Sequence, residues 1–189
     1  MARASLIVRL ESLDWSEMQQ FQLHHRMAHG FLHFFSDASL QLPKSTTGGI
    51  GMLGCGCVIA VSQHQHLASP DSHTSEVVAA GTNVNLLVPV LFLLQELHIL
   101  CGSRVPFYLD SQTTVRVSLD DTAVKKSVWL LRRAAVIEDA VVHELIEPLY
   151  LSEKDMAADP FTKYLPYAVW LRHMHFVMNY KGEVPPQVK

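Results

Sequence analysis

Two short apolar segments of this chain each run directly into an aspartate: residues 31–35 precede Ser36-Asp37, and residues 105–109 precede Asp110. Runs of this length, rich in aromatic and branched side chains, read as buried strands. A strand delivers its last side chains to one edge of a sheet. If these two segments lie side by side, their carboxylates meet there, and the fold must make neighbours of residues far apart in sequence.

The remaining elements fit such a sheet. Residues 48–56 open a Gly-rich hairpin whose second strand runs through 57–62. Ser72 is a candidate cap for a helix starting near Thr74, which carries Glu76 in its first turn. Apolar positions continue to Leu100, with Pro89 demanding a kink or a break into two helices. After Asp110, helices are expected at 113–119 and 124–142. A strand follows at 144–151, where Pro148 suits a sheet edge. Helical character returns at 154–163, with Asp159 on that segment, and at 167–178. This order predicts an α/β domain, a mixed sheet of about five strands flanked by helices. A chain of 189 residues holds one such domain, placed at 30–180 between an appendage at 1–29 and a loose tail at 181–189.

Composition narrows the function classes. Hydrophobic residues make up 49% and charged residues 17%, which excludes a disordered chain. A formal charge of -3 gives no global attraction to nucleic acid. That task would fall to a local group, and Lys125, Lys126, Arg132 and Arg133 form the compact basic one. On a helix Lys125 shares a face with Arg132, and Lys126 with Arg133, a surface suited to a phosphate backbone or simply to solvent. Cys55, Cys57 and Cys101 lack zinc-site spacing and read as reduced thiols. Residues 86–94 are interrupted by Pro89 and followed by Gln95, Glu96 and His98, so they fall short of a membrane span and no membrane partner is expected. An intracellular location follows, cytoplasmic or nuclear, with an organellar address left open by the acid-free residues 1–10. Trp129, Trp170, Tyr164 and Tyr167 fall among apolar neighbours and read as packing residues.

Asp37, Glu76, Asp110 and Asp159 are the candidate site. Hydrolysis of a phosphodiester calls for a clamp on the attacking and leaving oxygens, which two hard cations about 4 Å apart supply. Mg²⁺ takes oxygen ligands, so a few carboxylates suffice, and their mutual repulsion is costly without a cation. From spacing alone, each acid taken singly reads more readily as a turn or cap residue than as a metal ligand, since eighteen Asp and Glu are spread along the chain.

The surrounding blocks add a resemblance. Residues 35–39 (Phe-Ser-Asp-Ala-Ser), with Lys44-Ser45-Thr46-Thr47-Gly48-Gly49, resemble the opening of the ribonuclease H domain in polyproteins of copia-type retrotransposons. Residues 72–80 resemble its Glu-bearing helix, residues 107–112 its third acidic block, and residues 152–163 its last. Within that last block, Ala158-Asp159-Pro160-Phe161-Thr162-Lys163 matches an Ala-Asp-x-x-Thr-Lys core, followed here by Leu165-Pro166. The resemblance spans about residues 30–178 in collinear order. It implies a ribonuclease H-like fold and a nuclease using two Mg²⁺ or Mn²⁺ ions to cut the RNA strand of RNA/DNA hybrids. Asp37 would bridge the ions, Glu76 and Asp110 would hold one, and Asp159 the other.

The same resemblance implies a nucleic-acid partner and a reverse transcriptase or larger polyprotein context. Val77 replaces the family's aromatic after the Glu. Ser111 replaces the Asn that commonly follows the third acid, and keeps a hydrogen-bonding hydroxyl for nucleic acid. Residues 125–129 lack the family's His and Asp. These departures frame an alternative, a catalytically weakened or inactive domain that serves as a nucleic-acid or protein interaction module.

Overall fold

The computed structural model describes residues 32–54, 56–99, 104–119 and 128–179. The appendage and the tail expected at the two ends lie outside the described residues. Strands β1 (Leu32–Ser39), β2 (Thr46–Leu53) and β3 (Gly56–His64) form an antiparallel meander. Gly54 turns the β2-β3 hairpin at φ 59°, a conformation that costs glycine little. Strands β4 (Val105–Leu109) and β5 (Ile146–Tyr150) add in parallel beyond β1, giving a five-stranded mixed sheet in the order β3-β2-β1-β4-β5. Parallel pairing needs crossovers, and the helices supply them. They are α1 (Ser72–Glu96), α2 (Gln112–Leu119) and α3 (Val128–Val142), with α4 (Tyr167–Met178) closing the described chain.

Side chains alternate across β1 and separate two cores. Leu32 and Phe34 join Val77, Val84 and Leu87 of α1 and Ile137 of α3 on one face. Phe35 packs with Ile50, Tyr108, Met156 and Phe176 on the other, the face that α4 covers. Pro148 lies in β5, at the sheet edge, as its missing N–H favours.

Three local expectations are corrected. Helix α1 is a single helix of 25 residues, with Pro89 inside it. Both Pro89 and Asn85, whose carbonyl the proline cannot serve, are exposed, so water can satisfy that oxygen. The cap is Asp71 rather than Ser72, its Oδ1 accepting from the Thr74 N–H at 2.6 Å. Residues 154–163 form no α-helix but two 3-10 turns, Glu153–Asp155 and Asp159–Phe161, because Met156 is extended and Pro160 lacks a donor.

By length and apolar composition α1 could also cross a membrane, contrary to the expectation from Pro89. Its packing is that of a core helix: it lies against β1, β2 and α3 and buries the polar Glu76 and Asn83 with its apolar face. Cys57 is a free thiol; Cys55 and Cys101 lie outside the described residues.

Candidate metal centre

The register of β1 and β4 pairs Ser36 with Leu109, so Asp37 and Asp110, each one residue further on, stand beside each other. Strand β1 continues through Ser39, which leaves Asp37 inside the sheet and fully buried. Helix α1 brings Glu76 to the same edge. Its start is tied to the sheet by buried Gln65, whose Nε2 donates to Ser75 O at 2.9 Å and to Thr47 Oγ1 at 3.2 Å. The Ala38 N–H of β1 donates to the Glu76 carboxylate. Carboxylate oxygens of Asp37, Glu76 and Asp110 lie within 4.8 Å of one another, two of the residues buried and Asp110 half-buried.

Asp159 stands next to this trio rather than within it. It opens the second 3-10 turn, whose Thr162 and Lys163 N–H groups both donate to Asp159 O at 3.0 Å. From this turn the Thr162 hydroxyl donates to Asp37 Oδ2. The Lys163 ammonium lies 3.0 Å from Asp159 Oδ1, 3.4 Å from Glu153 Oε1 and 3.7 Å from Asp37 Oδ1.

Close approach of the turn to the sheet requires Gly48, the β2 residue paired with Asp37. A Cβ there would lie 2.5 Å from Thr162 Cγ2 and 3.1 Å from Ala158 O. Asn83 of α1 secures the same place, its Nδ2 donating to Ser36 Oγ at 2.8 Å and Gly48 O at 2.9 Å.

The electrostatics of the trio are those of crowded, desolvated acids. Burial, with Asp159 and Asp110 adding repulsion, pushes Asp37 up to about 8 against the pull of Lys163 and Thr162. Burial, with repulsion from Asp110 and Asp37, takes Glu76 to about 10. Asp110 and Asp159 are also raised by burial, with Lys163 opposing. Burial works against the Lys163 ammonium, but Asp37, Asp159 and Glu153 outweigh it and hold the lysine charged. A hard divalent cation fits this set: three carboxylates converge, and Asp37 Oδ1 is buried without a hydrogen-bond partner.

No protein-family model matches the chain, and no curated protein does. Solved structures do resemble it. The N-terminal RNase H domain of a Mycobacterium tuberculosis protein aligns with TM-score 0.53 and 10% identity, over 76% of this chain and 96% of that one. RNase H1 of the archaeon Halobacterium salinarum aligns with TM-score 0.50 and 11% identity, over 67% and 89%. The fold is ribonuclease H-like.

Within this ribonuclease H-like fold the other candidate residues scatter. Ser111 spends its hydroxyl on capping α2, accepting from the Thr114 N–H at 3.2 Å. Arg132 is exposed and Arg133 half-buried on α3, while Lys125 and Lys126 lie outside the described residues. Trp129 packs against the first core as expected. Tyr164 does not behave as a packing residue, whereas Tyr167 and Trp170, one turn apart on α4, pack on each other outside the core. Tyr164 is fully exposed, and the exposed Tyr167 and Trp170 rings stack at 6.3 Å. A cleft of about 400 Å³ is lined by Thr46, Ser62, His64, Phe161, Lys163 and Trp170, and by none of the four acids. Gln65 and Asn83 carried no sequence signal of a positioning role, and Gly48 stood in the family-like block at residues 44–49. Thr162 and Lys163 stood in the family-like block, and that block was the signal for them.

Proposed function

We propose that this chain is a divalent-metal-dependent nuclease that hydrolyses the RNA strand of RNA/DNA hybrids. The carrying observation is the convergence of Asp37, Glu76 and Asp110 within 4.8 Å, from three elements of a ribonuclease H-like fold. Asp37, Glu76 and Asp110 would hold Mg²⁺ or Mn²⁺, and in the two-ion scheme implied by the resemblance Asp37 and Asp159 would share the second. The bound cation supplies Lewis-acid stabilisation of charge on the phosphate.

The protein's own contribution is placement. Thr162 and the Ala38 N–H fix the carboxylates of Asp37 and Glu76 by hydrogen bonds. Gln65, Asn83 and Gly48 hold α1 and the Asp159 turn against the sheet, so that each acid enters the site with its orientation set. Arg132 and Arg133, with Lys125 and Lys126, are proposed contacts to the phosphate backbone, and Ser111 a contact that its capping bond still leaves room for. Descent from a copia-type element, with a reverse transcriptase or polyprotein as original partner, rests on the sequence blocks around the four acids.

The alternative, a domain that binds without cutting, draws on one observation. Lys163 already neutralises part of the acidic cluster. Incubation of purified protein with Mg²⁺ or Mn²⁺ and a labelled RNA/DNA hybrid separates the two readings. The nuclease reading expects cleavage of the RNA strand and its loss by at least about a hundredfold in Asp110→Asn, in line with the large effect of removing a group that stabilises developing charge. An intact hybrid at high enzyme concentration would leave the binding reading standing.

A further inference from the structure

Lys163 stands beside the trio, where a second cation would have to sit. An ion shared by Asp37 and Asp159 must lie between their carboxylates. That space holds the Lys163 ammonium, 3.0 Å from Asp159 Oδ1 and 3.7 Å from Asp37 Oδ1. We propose that Lys163 is the second cation of this site, so that the chain binds one divalent ion, at Asp37, Glu76 and Asp110, rather than two. The proposal rests on the reading of that trio as a metal site.

Three features keep the ammonium in place. Its backbone belongs to a closed turn, in which the Thr162 and Lys163 N–H groups are both bonded to Asp159 O at 3.0 Å. The lysine side chain is only 27% exposed, so its stem has little freedom to swing away. Glu153 Oε1 adds a third carboxylate at 3.4 Å. A divalent ion entering the same space would meet a like charge a few ångströms away in a partly desolvated setting, where repulsion is strong.

Asp37 is engaged on that side as well. Its Oδ2 accepts the Thr162 hydroxyl, a hydrogen bond that a second ion on this side would have to share the oxygen with. Asp159 then acts as the partner that positions Lys163, not as a metal ligand. A lysine suits this role, being a compact point charge that hydrogen-bonds Asp159 and Glu153 and faces Asp37 at ion-pair distance.

The test counts ions and needs no substrate. Mn²⁺ is titrated into the full chain at neutral pH, with stoichiometry read by calorimetry and electron paramagnetic resonance. Two Mn²⁺ ions about 4 Å apart give an exchange-coupled spectrum that a lone ion cannot. The wild type is expected to bind one ion without exchange coupling, and Lys163→Gln to bind two with it. Asp159→Asn should still bind one, and the double variant should return from two to one.

A wild type that binds two ions overturns the proposal without recourse to any variant, and so does a folded Lys163→Gln that binds one. Loss of an ion in Asp159→Asn would restore Asp159 as a ligand and overturn it too. A wild type that binds no Mn²⁺ at all brings down the metal-site reading itself, and the proposal with it; that failure is recognisably different from a count of two.

Discussion

At the residue scale the governing fact is that acids are buried together. Asp37 is pushed up to about 8 and Glu76 to about 10, in both cases first by burial and then by neighbouring carboxylates. In metal-free protein these groups keep a proton in the folded state after the unfolded chain has released it, near 3.8 and 4.5. The folded state therefore binds more protons, and stability falls with rising pH. The stabilising protonation is complete below the unfolded values and is lost as pH climbs through 8 for Asp37 and on towards 10 for Glu76. Thermal unfolding in a chelator should show a melting temperature that declines from about pH 7, above the range in which the buried His33 and His173 act in the opposite sense, to about pH 9. Asp37→Asn should make that decline shallower. A melting temperature that rises over this interval would mean the acids are solvated rather than buried.

Asp37, Glu76 and Asp110 were legible because each falls in its own block, and each of those blocks becomes a strand or a helix start that the sheet brings together. The partners of Asp37 were not legible in the same way. Thr162 and Lys163 reach it across a long stretch of chain, through a turn whose direction depends on an extended Met156, and no local periodicity encodes such a reach.

At the element scale the site depends on how closely the turn Asp159–Phe161 and its flanking residues lie on β2. Gly48→Ala places a methyl 2.5 Å from Thr162 Cγ2 and 3.1 Å from the Ala158 carbonyl, and the backbone contact cannot rotate away. Overpacking of this kind costs roughly 1–3 kcal/mol. Urea unfolding should register a loss of that size, and nuclease activity should fall further, because the displaced turn carries the partners of Asp37. Unchanged stability and activity would mean that the turn is not anchored on β2.

Element boundaries set by hydrophobic pattern were read well, as in β4, α2 and α4. Those set by exceptions were not. Pro89 signalled a break, but it lies on the exposed side of α1, where losing one helical hydrogen bond is cheap. The apolar spacing of residues 154–163 suggested a helix, although burial of Met156, Ala157 and Ala158 against Phe35 and Tyr108 selects the tighter turns. Tyr164 was misplaced for the same reason: in a turn, unlike a helix, the spacing of aromatic residues does not predict which face they occupy.

At the scale of the molecule, the three acids come from three elements that the sheet and the first core bring to one point. Asp37 comes from the central strand, Glu76 from the helix that covers the first core, and Asp110 follows a strand on the parallel side of the sheet. A cation held by all three binds only the folded chain, since unfolding disperses its ligands. The linkage relation then gives about 2.7 kcal/mol of added stability at a Mn²⁺ concentration about one hundred times its dissociation constant. Urea titrations with and without Mn²⁺ should show a higher midpoint and an unchanged slope, because the surface exposed on unfolding is the same. The gain should grow with pH, as the cation relieves the repulsion and desolvation that destabilise the ionised acids. Asp110→Asn should abolish it, whereas Arg132→Ala, on the exposed side of α3, should leave it intact. A Mn²⁺ effect of equal size in wild type and Asp110→Asn would assign the stabilisation to ions elsewhere on the surface and detach the cluster from the energetics of the fold.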